Sequence, residues 1–131
     1  MVVRRGGHAL DLRAFGALEA SEVAYEEPRA GDRTEVGPLL VEVVGPDEVA
    51  DVGGLHDATL ALRVTYGEGG LLFTGDAEAP TEARMVERWG DLLDAEVDEA
   101  GHHGSSTSTT PRFLDAVDPV VTVYSAGDGN V

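Results

Sequence analysis

The stretch that decides the fold is Ala95–Ser108, which reads A-E-V-D-E-A-G-H-H-G-S-S-T-S. Its first six residues, Ala95–Ala100, predict a short half-buried strand that runs into Gly101 and two adjacent histidines, His102 and His103. Glycines on both sides of the pair permit close backbone approach and unusual dihedral angles. Imidazole is the commonest metal ligand in proteins. The stretch therefore favours a metal site at a strand end, with solvated or hydrogen-bonded loop histidines as the alternative.

A second predicted strand ends in a carboxylate. Leu71–Asp76 reads L-L-F-T-G-D, an apolar run followed by Gly75 and Asp76, which is typical of a buried strand that ends in a turn. Ligands of open α/β sheets bind beyond the carboxyl ends of strands. Because one predicted helix separates the two strands, we expect them to be parallel neighbours. Asp76 and the His102–His103 loop should then lie at one sheet edge, close enough to share a metal ion.

The surrounding sequence alternates strands and helices. Thr59–Tyr66 alternates apolar and polar side chains, which predicts a half-buried strand, and Gly67–Gly70 predicts a hairpin turn. Proline in the first turn predicts helices at Pro80–Leu93 and Pro111–Val117, and Val120–Tyr124 is the last predicted strand. This order indicates an α/β fold. The predicted apolar face of the first helix is Ala79, Ala83, Val86, Trp89 and Leu93.

Upstream, the signals are weaker. Leu39–Val44 is a β-branched run that predicts a strand, and the polar stretch Pro28–Gly37 before it predicts turns. The segment Met1–Pro28 is compatible with a strand or a short helix, and Asp47–Asp57 predicts a loop. A chain of 131 residues is long enough for one domain, so we assign residues 1–131 to a single domain.

The segments L-L-F-T-G-D-A-E, V-D-E-A-G-H-H-G-S-S-T-S and P-R-F-L-D-A-V-D-P-V-V-T-V-Y-S, with the final G-D-G-N, together resemble the metallo-β-lactamase fold. The pairing of G-D-x-E with H-H-G-S-x-x-S is similar to the ComEC-type branch, the hydrolase domain of DNA-uptake competence proteins. The resemblance covers Asp57 to Val131 and is weaker upstream. It implies an αββα sandwich, of which this chain supplies mainly the second half.

The resemblance also implies roles for individual residues. Asp76 matches the carboxylate that bridges two divalent ions, Zn²⁺ or Mn²⁺, and one histidine of the pair matches the last histidine ligand. We assign the ligand role to His102, the first after the strand, and a substrate or supporting role to His103. Asp76, His102 and His103 are the candidate catalytic residues. Glu78 is a candidate for orienting a ligand, with an exposed residue near a helix start as the alternative.

Two hydroxyls of the loop after the histidines complete the candidate site. Ser105 and Ser108 could bind a phosphate oxygen of the substrate near the start of the next helix. The alternative is that they cap that helix. The family's leading motif, two histidines separated by one residue and followed by an Asp-His pair, is absent, since His8 and His56 do not fit it. We therefore interpret the chain as a fragment or truncated reading frame that lacks most metal ligands.

Charge and composition limit the partners. The chain has 25 Asp and Glu, nine Arg, no Lys and a formal net charge of −16, which suggests adaptation to a high-salt cytoplasm because molar salt screens such repulsion. A basic nucleic-acid surface is excluded, so a polyanion would have to be held through metal. The absence of cysteine excludes disulfides and thiolate ligands. The N-terminus lacks the apolar core of a signal peptide, and no apolar run is long enough to span a membrane, which predicts a soluble, cytoplasmic chain. The alternative is that the chain belongs to a longer protein that is membrane-attached or exported.

These observations lead to three hypotheses about function. The first is a fragment of a metal-dependent nuclease or phosphodiesterase of the ComEC-like family, inactive alone. The second is a non-catalytic α/β interaction module or remnant. The third is a hydrolase of small esters or lactones, since one fold hosts many chemistries. The substrate, the metal and the oligomeric state are not determined by the sequence.

We predict that the chain is better folded in molar KCl than in dilute buffer, because salt screens the repulsion among its acidic side chains. Circular dichroism at increasing KCl measures this, and an uncharged osmolyte at equal osmolality is the control. An unchanged or weaker folded signal at high salt would contradict the halophilic interpretation.

Overall fold

The fold is described by a computed structural model for residues 9–22, 26, 28–46 and 59–127. Predicted features at Asp47–Asp57 and in the final G-D-G-N lie wholly or mostly outside these residues. The elements in chain order are α1 Ala9–Ala20, β1 Arg33–Val36, β2 Leu39–Gly45, β3 Ala61–Tyr66, β4 Gly69–Phe73, α2 Ala79–Trp89, a 3-10 turn Gly90–Leu93, β5 Val97–Glu99, a short helical turn Gly101–Gly104, α3 Pro111–Val117 and β6 Val121–Val123.

The described strands form one six-stranded mixed sheet in the order β1 to β6. The first four strands run antiparallel, whereas β5 pairs with β4 and β6 pairs with β5 in parallel. Because α2 connects β4 to β5 and α3 connects β5 to β6, the carboxyl ends of the last three strands meet at one edge. This confirms the predicted α/β class and the parallel pairing of the two strands that carry Asp76 and the histidines.

The core lies between the sheet and helices α2 and α3. In α2 the buried side chains are Thr81, Glu82 and Met85, whereas Ala79 and Ala83 of the predicted apolar face are only half-buried. The buried face is therefore rotated from the prediction, and it takes a carboxylate into the interior. The core cluster comprises Val44, Ala61, Leu72, Ala77, Met85, Leu93, Ala95, Phe113 and Val117, with Val86 and Trp89 packed against it.

One local prediction is wrong. Part of Pro28–Gly37 is a strand, because Arg33–Val36 pairs antiparallel with β2 through a two-residue turn that begins at Gly37, whose φ is +59°. A glycine with positive φ is what a tight hairpin needs at this place. The half-buried strand predicted at Thr59–Tyr66 is confirmed as β3, in which four of the six residues are half-buried.

The sheet face opposite the core is apolar and partly open. Phe73 is 40% exposed, and Val121 and Val123 of β6 are 50% and 53% exposed. An uncovered apolar face is what one sheet of a sandwich presents to the other. The strand register aligns two rows of side chains there, Leu62, Phe73, Glu99 and Val123, and Val64, Leu71, Val97 and Val121.

An acidic side chain, Asp98, lies on the core face of β5 and is fully buried. Burial, and after it the charges of Glu82 and Glu99, together raise the pKa of Asp98 to about 6. The Thr122 side chain opposes the shift in part. Because the native state holds the proton more tightly than the unfolded chain does, this group stabilises the fold only at low pH.

We predict that the contribution of Asp98 to the free energy of unfolding falls as pH rises from the ordinary value of 3.8 to about 6. The loss is about 3 kcal/mol. Asp98→Asn should therefore stabilise the protein at pH 8 much more than at pH 4, as measured by denaturant unfolding. Asp91→Asn, at an exposed position, controls for net charge. An equal effect of Asp98→Asn at both pH values would contradict the prediction.

Candidate metal centre

Two turns in direct backbone contact form the candidate site. The first follows β4 and presents Asp76, and the second follows β5 and presents the two histidines. The backbone N–H of His102 donates a hydrogen bond of 2.8 Å to the carbonyl of Gly75. The structure therefore places Asp76 and the histidine pair at the same sheet edge, as the sequence predicts.

Glycine is required in both turns for steric reasons. Gly75 has a φ of +54°, and a Cβ there would collide with Oγ1 of Thr59, which accepts a 3.0 Å hydrogen bond from the N–H of Asp76. At Gly101 a Cβ would lie 2.9 Å from the carbonyl oxygen of Ala77. A side chain at Gly101 would push the two turns apart, and one at Gly75 would displace Thr59 from the Asp76 turn.

His103 is the histidine that faces Asp76. Its Nε2 lies 3.6 Å from Oδ1 of Asp76, and its Nδ1 lies 3.1 Å from the carbonyl oxygen of Ser125. A carbonyl oxygen only accepts hydrogen bonds, so Nδ1 is the donor to Ser125, and Nε2 is the ring nitrogen that faces the carboxylate. Such a carbonyl partner orients metal-binding histidines. Two ligands of one zinc ion lie about 3–3.5 Å apart when each bond is about 2.1 Å.

His102 is paired with a different carboxylate. Its Nδ1 lies 3.3 Å from Oε1 of Glu78, and the same oxygen accepts a 3.0 Å hydrogen bond from Oγ1 of Thr107. Glu78 is thus placed to orient His102, which is the arrangement expected of a carboxylate that supports a ligand. The ring centroids of His102 and His103 are 6.4 Å apart.

The order of the two histidines differs from the sequence expectation. The sequence predicts that His102 shares an ion with Asp76, whereas in the structure the imidazole beside Asp76 is that of His103. The difference arises from the backbone, because both histidines adopt the left-handed helical conformation, with φ of 50° at His102 and 56° at His103. This conformation costs energy in non-glycine residues and is concentrated at functional sites. Which imidazole binds metal stays a prediction.

The two predicted substrate serines lie in different environments. Ser105 lines an open cavity of about 490 Å³. Ser108 is 8% exposed, and its hydroxyl donates a 2.7 Å hydrogen bond to the carbonyl of Ala77. Neither caps α3, whose N-cap residue Thr110 makes no side-chain cap hydrogen bond. The cavity is lined by His102, His103, Gly104, Ser105, Ser106, Tyr124 and Ala126.

Sequence reasoning missed three groups that hold this site. Ser125 contacts His103 through its backbone carbonyl. Thr59, which precedes β3, accepts a hydrogen bond from the Asp76 amide. No sequence motif indicates either residue. Glu82 is a buried carboxylate in α2 that contacts the serine-threonine loop. Glu82 lies in the predicted helix Pro80–Leu93, but helical periodicity does not show which acidic residues are buried.

The described residues fit a metal ion only in part. Carboxylate and imidazole are suitable ligands for zinc, and the Asp76–His103 separation suits two ligands of one ion. Within the described part of the chain, however, no group of three or more acidic or histidine side chains could hold an ion. A catalytic zinc needs about three protein ligands plus water. Asp76 and His103 are therefore suited to be part of a ligand set.

Comparison with known proteins decides the family. The family model for the metallo-beta-lactamase superfamily matches residues 2–128. The chain belongs to the metallo-β-lactamase superfamily. The match extends further upstream than the sequence motifs alone indicate, so the N-terminal segment is part of the same family match.

The relatives within this superfamily are ComEC-type competence proteins. The chain is 30% identical over 120 residues to ComE operon protein 3 of Bacillus subtilis, an alignment that covers 92% of this chain and 15% of the relative. It is 44% identical over 108 residues to competence protein ComA of Neisseria gonorrhoeae, covering 81% of this chain and 16% of that protein. Recombination protein 2 of Haemophilus influenzae is 41% identical over 92 residues, an alignment that covers 70% of this chain and 11% of that protein. The alignments thus span less than a fifth of each relative.

A solved structure has a similar fold. CmlA, a diiron beta-hydroxylase from Streptomyces venezuelae, matches with a TM-score of 0.57 and 15% identity, over 94% of this chain and 30% of CmlA. At this identity the match shows the fold alone. Among the described residues, no helix is long and apolar enough to cross a membrane.

Proposed function

We propose that this chain is part of a metal-dependent hydrolase that cleaves phosphodiesters, with DNA as the candidate substrate. The observation that carries the proposal is the 3.6 Å separation of Asp76 Oδ1 and His103 Nε2 at the carboxyl ends of two adjacent parallel strands. The relatives are named for competence and recombination, which supports a nucleic-acid substrate. Bound Zn²⁺ or Mn²⁺ would polarise a phosphoryl oxygen and lower the pKa of a bound water.

The residues of this chain would divide the work of holding ion and substrate. Asp76 would offer a carboxylate oxygen to each of two ions, and His103 would bind through Nε2 while the Ser125 carbonyl holds Nδ1. His102, oriented by Glu78, is the alternative ligand. Ser105 would donate its hydroxyl to a phosphate oxygen in the cavity, whereas Ser108 is engaged with Ala77 and is left out of the substrate contacts.

The acidic surface affects how a polyanion could bind. With a net charge of −16, the chain as a whole repels nucleic acid, so attraction must come from metal ions at the site. We propose that the protein works in a high-salt cytoplasm, where the repulsion is screened within about 3 Å at molar salt. The two proposals are compatible, since direct metal–phosphate bonds are screened far less than exposed charges.

A second function, a non-catalytic module, is favoured by one observation. The described residues contain no group of three metal-binding side chains, so the remaining ligands must come from residues outside the described part or from another polypeptide segment. If neither supplies them, the chain is an interaction module or a remnant. Hydrolysis of small esters, the third hypothesis, is distinguished by substrate.

We predict that the chain alone binds divalent metal weakly and does not turn over bis-p-nitrophenyl phosphate with Mn²⁺ or Zn²⁺ at high salt. A form extended by a segment that carries the missing histidine motif should turn over this substrate. Asp76→Ala in the extended form should lower the rate at least about a hundredfold, because the ions lose their shared ligand. Release of nitrophenol measures all three rates.

The matched control is Asp91→Ala, at an exposed position, which should leave the rate unchanged. Metal-dependent turnover by the chain alone would show that its site is complete, and full activity of the Asp76→Ala form would show that the site is misassigned. Faster turnover of p-nitrophenyl acetate than of the phosphodiester would favour the small-ester hypothesis. No turnover by the extended form would favour the non-catalytic module.

A further inference from the structure

Glu82 is a fully buried carboxylate outside the candidate ligand set. It projects from α2, and a buried carboxylate is costly unless hydrogen bonds satisfy its oxygens. Here Oε2 accepts a 2.9 Å hydrogen bond from the backbone N–H of Thr110, and Oε1 accepts one from the backbone N–H of Thr109. Both amides belong to the loop that follows the histidine pair, so the carboxylate anchors the end of that loop to α2.

The loop in turn contacts both metal-site turns. Oγ1 of Thr109 accepts a 3.1 Å hydrogen bond from the N–H of Gly101, the residue before His102. The Ser108 hydroxyl donates to the carbonyl of Ala77, the residue after Asp76, at 2.7 Å. Hydrogen bonds and the backbone of the loop therefore connect Glu82 to Gly101, which precedes the histidine pair, and to Ala77, which follows Asp76.

We propose that Glu82 is a positioning residue that holds the Asp76 turn against the histidine turn through the loop of residues 105–110. Its two oxygens are acceptors that match two N–H donors, and no neutral side chain of the same shape offers this. A glutamine would direct an amide NH₂ at one of the two N–H groups, which leaves that donor without an acceptor. The inference rests on the proposed function for its purpose, but its geometry can be measured without metal.

The test compares Glu82→Gln with Glu87→Gln, which removes the same charge at an exposed position of the same helix. In the metal-free protein, amide exchange at His102 reports its hydrogen bond to Gly75, and ring ¹⁵N shifts of His103 report its tautomer. We expect Glu82→Gln to remain folded by circular dichroism, to exchange the His102 amide at least about tenfold faster and to change the His103 shifts. Glu87→Gln should change neither. A residue that only stabilises the fold would lower the melting temperature and leave the His103 shifts of the folded protein unchanged.

Added Mn²⁺ provides a second readout, because it broadens the signals of nearby imidazoles even when binding is weak. Loss of a supporting partner costs roughly 10–100-fold in metal affinity, so Glu82→Gln should need that much more Mn²⁺ for equal broadening. If wild type shows no Mn²⁺ effect, the predicted weak metal binding by the chain alone is wrong, and the exchange rate and ring shifts still decide the role of Glu82.

A second pair of variants covers the case in which Glu82→Gln does not fold. Thr109→Val removes the acceptor for Gly101 and keeps the shape, whereas Thr109→Ser keeps the hydroxyl. The valine variant should accelerate exchange at His102 and change the His103 shifts, and the serine variant should behave as wild type. Wild-type exchange and ring shifts in both folded Glu82→Gln and Thr109→Val would overturn the inference, as would the same changes in Thr109→Val and Thr109→Ser.

Discussion

The structure depends on the close contact of two backbone turns, fixed by the hydrogen bond from the His102 amide to the Gly75 carbonyl. The close approach requires that Gly101 carry no Cβ, because a Cβ there would lie 2.9 Å from the carbonyl oxygen of Ala77 in the other turn. Parallel pairing of β4 and β5 brings the two turns to one edge, and the missing side chain of Gly101 allows them to touch. A carboxylate and an imidazole from segments more than 20 residues apart in sequence thereby come within 3.6 Å of each other. Around this contact, Thr59, Ser108 and Glu82 satisfy the polar groups that the turns bury.

The sequence was informative wherever a short-range rule decides the structure. Proline at the first turn located α3, and the apolar run before Gly75 located β4. The sequence was less informative where the structure depends on contacts between residues that are distant in sequence. The segment Arg33–Val36 was not predicted as a strand, and it forms β1 because its backbone pairs with the edge of β2. Likewise, no pattern shows that two consecutive left-handed residues direct His103, rather than His102, towards Asp76.

The open apolar face of the sheet and the shortage of metal ligands are two aspects of one arrangement. An αββα sandwich buries such a face under a second sheet. Here the described residues supply one sheet, its helices and two adjacent candidate ligands, while Phe73, Val121 and Val123 remain partly exposed. The alignments with these relatives cover less than a fifth of each relative. The activity of the whole proteins is therefore proposed, and not shown, for this chain.

The most direct measurement is an anomalous difference map from crystals of the wild-type chain soaked in Mn²⁺ or Zn²⁺. We expect a peak about 2.0–2.2 Å from both Oδ1 of Asp76 and Nε2 of His103, with Nδ1 of His103 still bonded to the carbonyl of Ser125. A metal peak bound only at other residues would contradict the central claim. An experimental structure in which the Asp76 carboxylate lies at one end of the sheet and both imidazoles lie at the other end would also contradict it.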